Sequence, residues 1–146
     1  MVGIQAKRMK NPVISKATSV KRVFEQPLRS YLERRRHDIR VRSETVRSIV
    51  ETFSYDNVLD IGCGDGSISL PLLREGVHLT LLDFSASMVA IAKSRIPAAF
   101  HGNVAIRNAD FMASSFPSNS YDLVLCLGLL AHVIRRKTLL RRRSIL

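Results

Sequence analysis

Three glycines at alternate positions, Gly62, Gly64 and Gly66, follow the short run Asn57-Val58-Leu59-Asp60-Ile61. Lacking Cβ atoms, they let the chain turn tightly and let a ligand lie against its backbone. A glycine-rich turn that leaves a strand at the carboxyl edge of an α/β sheet is where adenosine-bearing cofactors bind. Spacing separates two versions of that turn. The dinucleotide pattern GxGxxG would place its third glycine at position 67, and that residue is Ser67. Here the pattern is GxGxG, with Asp60 two residues before the first glycine. Asp83 lies 17 residues after Gly66, room for one helix and one strand, and can accept two hydrogen bonds from a ribose diol. Asp110 closes a third apolar run. Three acids would repel a pyrophosphate, but they suit a sulfonium, an ammonium and a ribose.

Periodicity indicates the elements that must hold these residues. Residues 57–61, 78–82 ending at Asp83, 104–107 ending near Asn108-Ala109-Asp110, and 121–127 read as strands. The fourth, Tyr121 to Leu127, is apolar almost throughout, the mark of a strand buried on both faces. Between them, residues 67–75 read as a helix stopped by Gly76, with Pro71 near its first turn. Ser85 caps a helix over Ala86–Arg95 that ends before Pro97, and 111–120 is loop-like with little room for a crossover helix. Upstream, Val20, Val23, Phe24, Leu28, Tyr31 and Leu32 fall at helical spacing, with Pro27 kinking that run or starting a new helix. A second helix is predicted from Ser43 as N-cap, with Val46, Ile49, Val50 and Phe53 on one face. Strands alternating with helices indicate an α/β fold with a parallel sheet.

Length and composition bound the reading further. A chain of 146 residues, 46% of them apolar, suits one domain with its own core. Two cysteines, Cys63 and Cys126, form no CxxC or Cys/His metal pattern, and a reduced, cytoplasmic protein is expected. A mitochondrial presequence is the lesser reading of the basic, acid-poor start. The longest uncharged apolar stretch, Leu123 to Ile134, has 12 residues, short of a membrane span. The net charge of +11 is uneven. Residues 1–50 hold 13 Lys/Arg against 4 Asp/Glu, residues 51–134 hold 4 against 8, and residues 135–146 hold 6 against none. These basic arms read as solvated faces and a tail; a nucleic-acid partner is not expected. The resulting division is a flexible basic leader at 1–19, an N-terminal helical cap at 20–54, a cofactor-binding α/β domain at 55–133, and a basic helix or tail at 134–146.

Three blocks, VLDIGCGDGSISLPLLREG (58–76), LTLLDFSASMVAIAKSR (79–95) and NADFMASSFPSNSYDLVLCLGLLAHV (108–133), carry a resemblance through their content and order. Over about residues 55–133 the sequence resembles the class I S-adenosylmethionine-dependent methyltransferases. The resemblance implies a Rossmann-like fold and S-adenosylmethionine as cofactor, with S-adenosylhomocysteine as product. It implies that Gly62, Cys63, Gly64 and Gly66 hold the methionine part, with Asp60 towards its amino group. It implies Asp83 on the ribose hydroxyls, Phe84 and Met88 against adenine, Asp110 on the adenine amino group, and Phe111 beside the ring. Leu127 and Gly128 would border the methyl-donor end, and His132 would stand near the acceptor as a general base. The acceptor is expected to be a small molecule.

Several of these residues have plainer readings. Cys63 reads as a small packing residue and Cys126 as buried filler, while Asp56 and Asp65 read as solvent-exposed turn residues. Met88 fits a core position as well as an adenine contact, and His132 fits a helix surface as well as a base. The basic run Arg34–Arg36 with His37 and Arg40 reads as a wetted helix face. The family's sheet is ordered 3-2-1-4-5-7-6, whereas this sequence supplies four strands before a basic end. A partial sheet 3-2-1-4, truncated after the fourth strand, is therefore expected, its exposed edge suited to a homodimer or a complementing chain. The alternative function is a non-catalytic binding module that keeps the cofactor fold and uses its basic arms for nucleic acid or an acidic partner.

Overall fold

A computed structural model describes residues 28–127 of the chain. Helix α1 (Leu28–Val50) precedes a sheet of strands β1 (Asn57–Ile61), β2 (His78–Asp83), β3 (Val104–Asn108) and β4 (Leu123–Leu125), with helix α2 (Ala86–Ser94) between β2 and β3. The sheet order is β3-β2-β1-β4, and all three pairings are parallel. Opposite residues include Asp60 with Leu81 and Asp83 with Asn108, so the carboxyl ends of β1, β2 and β3 share one edge. This is the α/β architecture that the periodicity predicts and the strand order that the family resemblance implies.

Side-chain alternation divides the core between the two faces of the sheet. Val58, Leu79 and Leu81 point to one face, where Val46 and Val50 of α1, Leu72 and Ala92 of α2 cover them. Leu59, Ile61 and Leu82 point to the other, covered by Phe111. No α-helix joins β3 to β4; a single 3-10 turn, Phe111–Ala113, follows β3. Aromatic side chains of the connecting loop take the place of a helix, Phe111 stacking on Phe116 at 6.0 Å and Phe116 meeting Tyr121 edge-on at 6.1 Å. Burial of aliphatic surface on both sides of β1 and β2 is the main force holding the carboxyl edge in place.

Four expectations need correction. Residues 67–75 do not form a helix; only a single 3-10 turn, Leu70–Leu72, is present. Pro71 cannot donate a backbone hydrogen bond, and in a continuous helix its ring would press on the Ser67 carbonyl. Gly76, at φ +82°, consequently sits in a turn closed by Val77 N–H donating to the Arg74 carbonyl at 3.1 Å, not at a helix end.

Ser43 caps nothing, because α1 runs through it. The hydroxyls of Thr45 and Ser48 donate back to the carbonyls of Val41 and Thr45. An Arg40–Glu44 pair spans the supposed boundary, and an Arg47–Glu51 pair follows on the same helix. Of the four residues assigned to one buried face, Val46 and Val50 are buried, but Ile49 and Phe53 are exposed at 55% and 63%.

Strand β4 is shorter than 121–127 and only half-buried, as is Cys126, because among the described residues it has a strand neighbour on one side only. Its entry is fixed by Asp122, whose carboxylate accepts from the backbone N–H groups of Asp56 and Asn57 at 3.1 and 2.8 Å. These bonds hold the Asp122 carboxyl below the usual carboxylate range. The leader at 1–19 and the tail at 134–146 lie outside the described residues, and the N-terminal cap is described from Leu28 onward. No helix among the described residues is long and apolar enough to cross a membrane.

Candidate functional site

The loop after β1 is stitched to the end of β2. Gly62 and Cys63 donate backbone N–H bonds to the Leu82 carbonyl at 2.8 and 3.1 Å, and Gly64 N–H donates to Asp83 Oδ2 at 2.8 Å. Gly62, Gly64 and Gly66 all have φ in the left-handed region, at 77°, 56° and 76°. A Cβ at Gly66 would stand 2.7 Å from Leu70 Cδ1, with Ala92 Cβ of α2 in ordinary contact at 3.5 Å, so here the absent side chain makes room for Leu70. A Cβ at Gly64 would meet nothing within 4 Å, leaving the loop backbone open at that point.

A pair of substitutions separates these two uses of glycine. Gly66→Ala combines backbone strain with overpacking and is expected to cost about 2 kcal/mol of stability. Gly64→Ala carries only the strain, about 1 kcal/mol, but places a methyl where a ligand would approach. Urea denaturation should rank Gly66→Ala as the less stable variant. A ligand titration should rank Gly64→Ala as the weaker binder relative to its stability.

Asp60, in β1, is only 3% exposed. Burial raises its carboxyl to about pKa 6, the nearby Ser69 hydroxyl offsets part of that rise, and the Asp83 charge adds to it. Ser69 Oγ is itself buried without a hydrogen-bond partner of good geometry. Asp83, half-buried at the end of β2, accepts from Gly64 N–H at Oδ2 and from Ser85 N–H at Oδ1, both at 2.8 Å. A carboxylate oxygen has two lone pairs, so Asp83 retains capacity for a diol. The end of β3 is fastened to the same place. Ala109 N–H and the Asn108 side-chain amide donate to the Asp83 carbonyl at 3.1 and 3.0 Å. Asp110 follows, exposed, with Oδ1 accepting from Met112 N–H at 2.8 Å.

The structure thus brings Asp60, Asp83 and the glycine loop into one electrostatic neighbourhood and sets Asp110 at the same edge. Phe84 stands beside them, 42% exposed. Met88 and Phe111 are buried, at 4% and 5% exposed, Phe111 within the aromatic cluster under the sheet. Leu127 is half-buried and packs against the core, while Gly128 and His132 lie outside the described residues. The Cys63 thiol is pushed well above its usual range by burial and by the charges of Asp60 and Asp83, which suits a packing residue and not a nucleophile. Among the described residues no cluster of His, Cys, Asp or Glu could hold a metal ion.

Asp65 is not a solvated turn residue; it is 6% exposed and ion-paired with Arg95. A buried carboxylate needs a cation, but the partner lies 30 positions away at the end of α2, where linear spacing carries no signal.

The site suits an adenosyl ligand bearing positive charge. Its buried Asp60 carboxyl has the Ser69 hydroxyl nearby and pairs with no cation among the described residues, Asp83 keeps acceptor capacity, and the loop backbone is open at Gly64. Comparison with known proteins points the same way. The family described as "Methyltransferase domain" matches residues 58–144. A ubiquinone biosynthesis O-methyltransferase of Sodalis glossinidius is 35% identical over 82 residues, 53% of this chain and 31% of that protein. The chloroplastic magnesium protoporphyrin IX methyltransferase of Arabidopsis thaliana is 33% identical over 84 residues, 55% of this chain and 25% of that one. Among solved structures, magnesium protoporphyrin IX methyltransferase from Synechocystis with bound S-adenosylmethionine (SAM) superposes with a TM-score of 0.64 at 25% identity. That match covers 90% of this chain and 69% of the other. The aligned part of the chain spans about a third of the length of the Sodalis relative.

Proposed function

The chain belongs to the methyltransferase domain family, and from that premise we propose that it binds S-adenosylmethionine and transfers its methyl group to a small-molecule acceptor. The observation that carries this reading is the placement of the Asp60 and Asp83 carboxylates around an open glycine loop at one sheet edge. When bound, S-adenosylmethionine supplies a methyl group activated by its sulfonium, so the protein's part is positioning and desolvation.

The loop Gly62, Cys63, Gly64 and Gly66 lies along the methionine part. Asp60 offers its buried carboxylate to the ammonium, where the opposite charge is worth most. Asp83 accepts from both ribose hydroxyls while holding Gly64 and Ser85 by their N–H groups. Phe84 presents its exposed ring to adenine, and Asp110 accepts from the adenine amino group. Met88 and Phe111, both buried, shape the floor beneath the ring. Leu127 and Gly128 border the methyl-donor end, and His132 takes the acceptor's proton.

The named relatives concern ubiquinone biosynthesis and magnesium protoporphyrin IX, so phenolic and tetrapyrrole compounds are the first acceptors to try. Pairing of β4, on the side with no strand neighbour among the described residues, with a second copy or a complementing chain belongs to the same proposal. Calorimetric titration of the chain with S-adenosylhomocysteine and, separately, with NAD tests the cofactor reading. Saturable binding of the first with none of the second is expected; a preference for NAD would end it.

A further inference from the structure

We infer that Arg95 is the positioning residue of the cofactor loop, its guanidinium fixing the turn at Gly64–Ser67 through the Asp65 carboxylate and the Ser67 hydroxyl. The inference deepens the reading above and rests on it, since it concerns the loop proposed to receive S-adenosylmethionine.

The contacts form a closed ring. Ser67 donates to Asp65 twice, from its backbone N–H to Oδ1 at 3.1 Å and from its hydroxyl to Oδ2 at 2.8 Å. Arg95 Nη1 pairs with Asp65 Oδ2, donates to Ser67 Oγ at 2.7 Å and approaches the Asp65 carbonyl at 3.3 Å. Residues on both sides of Gly66 are thereby held, and Gly66 has the left-handed φ that gives the turn its shape.

Burial makes the pair consequential. The Asp65 side chain is 9% exposed and the Arg95 side chain 47% exposed, so the carboxylate is inside and the cation closes over it from the rim. No other cation pairs with Asp65 among the described residues. Without Arg95 the loop would enclose an uncompensated anion, close to Asp60 and Asp83 in a site that already gathers negative charge. Arg95 is also the C-cap residue of α2, where the helix dipole favours a positive group.

The clamp joins two parts of the ligand site. At its first end, the β2–α2 segment holds the loop by the bond from Gly64 N–H to Asp83, just before the Ser85 cap. At its last end, it holds the loop by Arg95. The ribose acceptor and the methionine-binding backbone therefore move as one body, and fixing them before binding spares the ligand that ordering cost.

Lysine at 95 would keep the charge but, with its shorter and non-planar head group, could not span Asp65 and Ser67 equally well. The test uses the full chain as wild type, Arg95→Met, Arg95→Lys, Asp65→Asn and the Arg95→Met/Asp65→Asn double variant. Affinity for S-adenosylhomocysteine is measured by calorimetry, and amide hydrogen exchange is followed in the ligand-free protein. Arg95→Met is expected to weaken binding roughly tenfold and to speed exchange at residues 64–67, with β1 and β2 unchanged. Arg95→Lys should recover part of that loss, and Arg95→Met should cost little more once Asp65→Asn is present. The inference is overturned if folded Arg95→Met binds as tightly as wild type. It is equally overturned if Arg95→Lys binds no better than Arg95→Met. Failure of the wild type itself to bind strikes the methyl-donor reading, an outcome visible before any variant is compared.

Discussion

Replacing Asp83 with alanine is expected to weaken S-adenosylhomocysteine binding at least about a hundredfold and to lower stability at the same time. Two effects act together. The carboxylate is the proposed acceptor for both ribose hydroxyls, and each charge-assisted hydrogen bond contributes about 1.5–3 kcal/mol. The same two oxygens already receive Gly64 N–H and Ser85 N–H, so their loss frees the glycine loop at its first contact and leaves both donors unpaired. Asp83→Asn separates the contributions. Its amide oxygen can still accept one of the two N–H groups, but its NH2 faces the other with donor against donor. Urea denaturation should therefore place Asn between wild type and alanine, whereas calorimetry should find both variants far weaker than wild type. Alanine binding within about fivefold of wild type would remove Asp83 from the ribose site, because a single lost charge-assisted bond costs more than that.

What could be read from the residues followed the range of the forces involved. Strand β1 was bounded by the change from apolar run to glycines, and α2 by a serine cap and a following proline, signals that act within a few residues. The convergence of Asp60 and Asp83 was legible because strands of a parallel sheet end at one edge. Once both aspartates are placed at strand ends, geometry brings them together. Ser43 does not cap because a serine favours a cap only where the helix can stop, and here the Arg40–Glu44 pair across it and the Arg47–Glu51 pair after it favour continuation. Pro71 suits the first turn of a helix by its local geometry, but the chain makes only a single turn there, which places Leu70 against Gly66. The Asp65–Arg95 pair was invisible because it depends on how α2 lies over the loop, a relation that appears only after the sheet is assembled.

Asp60→Asn is expected to strengthen the fold while weakening the ligand, and both effects should grow as pH rises through 6, because wild-type stability and wild-type affinity change with pH in opposite senses. Burial brings the Asp60 carboxyl from its model-peptide value of 3.8 to about 6 in the folded chain. A raised carboxyl favours folding while protonated, so its contribution is fully present below about pH 4 and is lost as pH rises through 6. A shift of this size corresponds to about 3 kcal/mol of stability forgone at pH 8. Asparagine carries no charge to desolvate, so its urea midpoint should exceed that of wild type at pH 8 and approach it near pH 4. Binding runs the other way. An ammonium beside Asp60 favours the ionised form, so wild-type affinity for S-adenosylhomocysteine should fall as pH drops below 6, with proton release on binding near that pH. Calorimetry in two buffers of different ionisation enthalpy reads that release directly. The asparagine variant should bind weakly, without this pH dependence. A variant no more stable than wild type at pH 8 would show that the carboxylate is stabilised within the fold. Asp60 would then not be held in strain for a positively charged ligand, and its role at the ammonium would have to be given up.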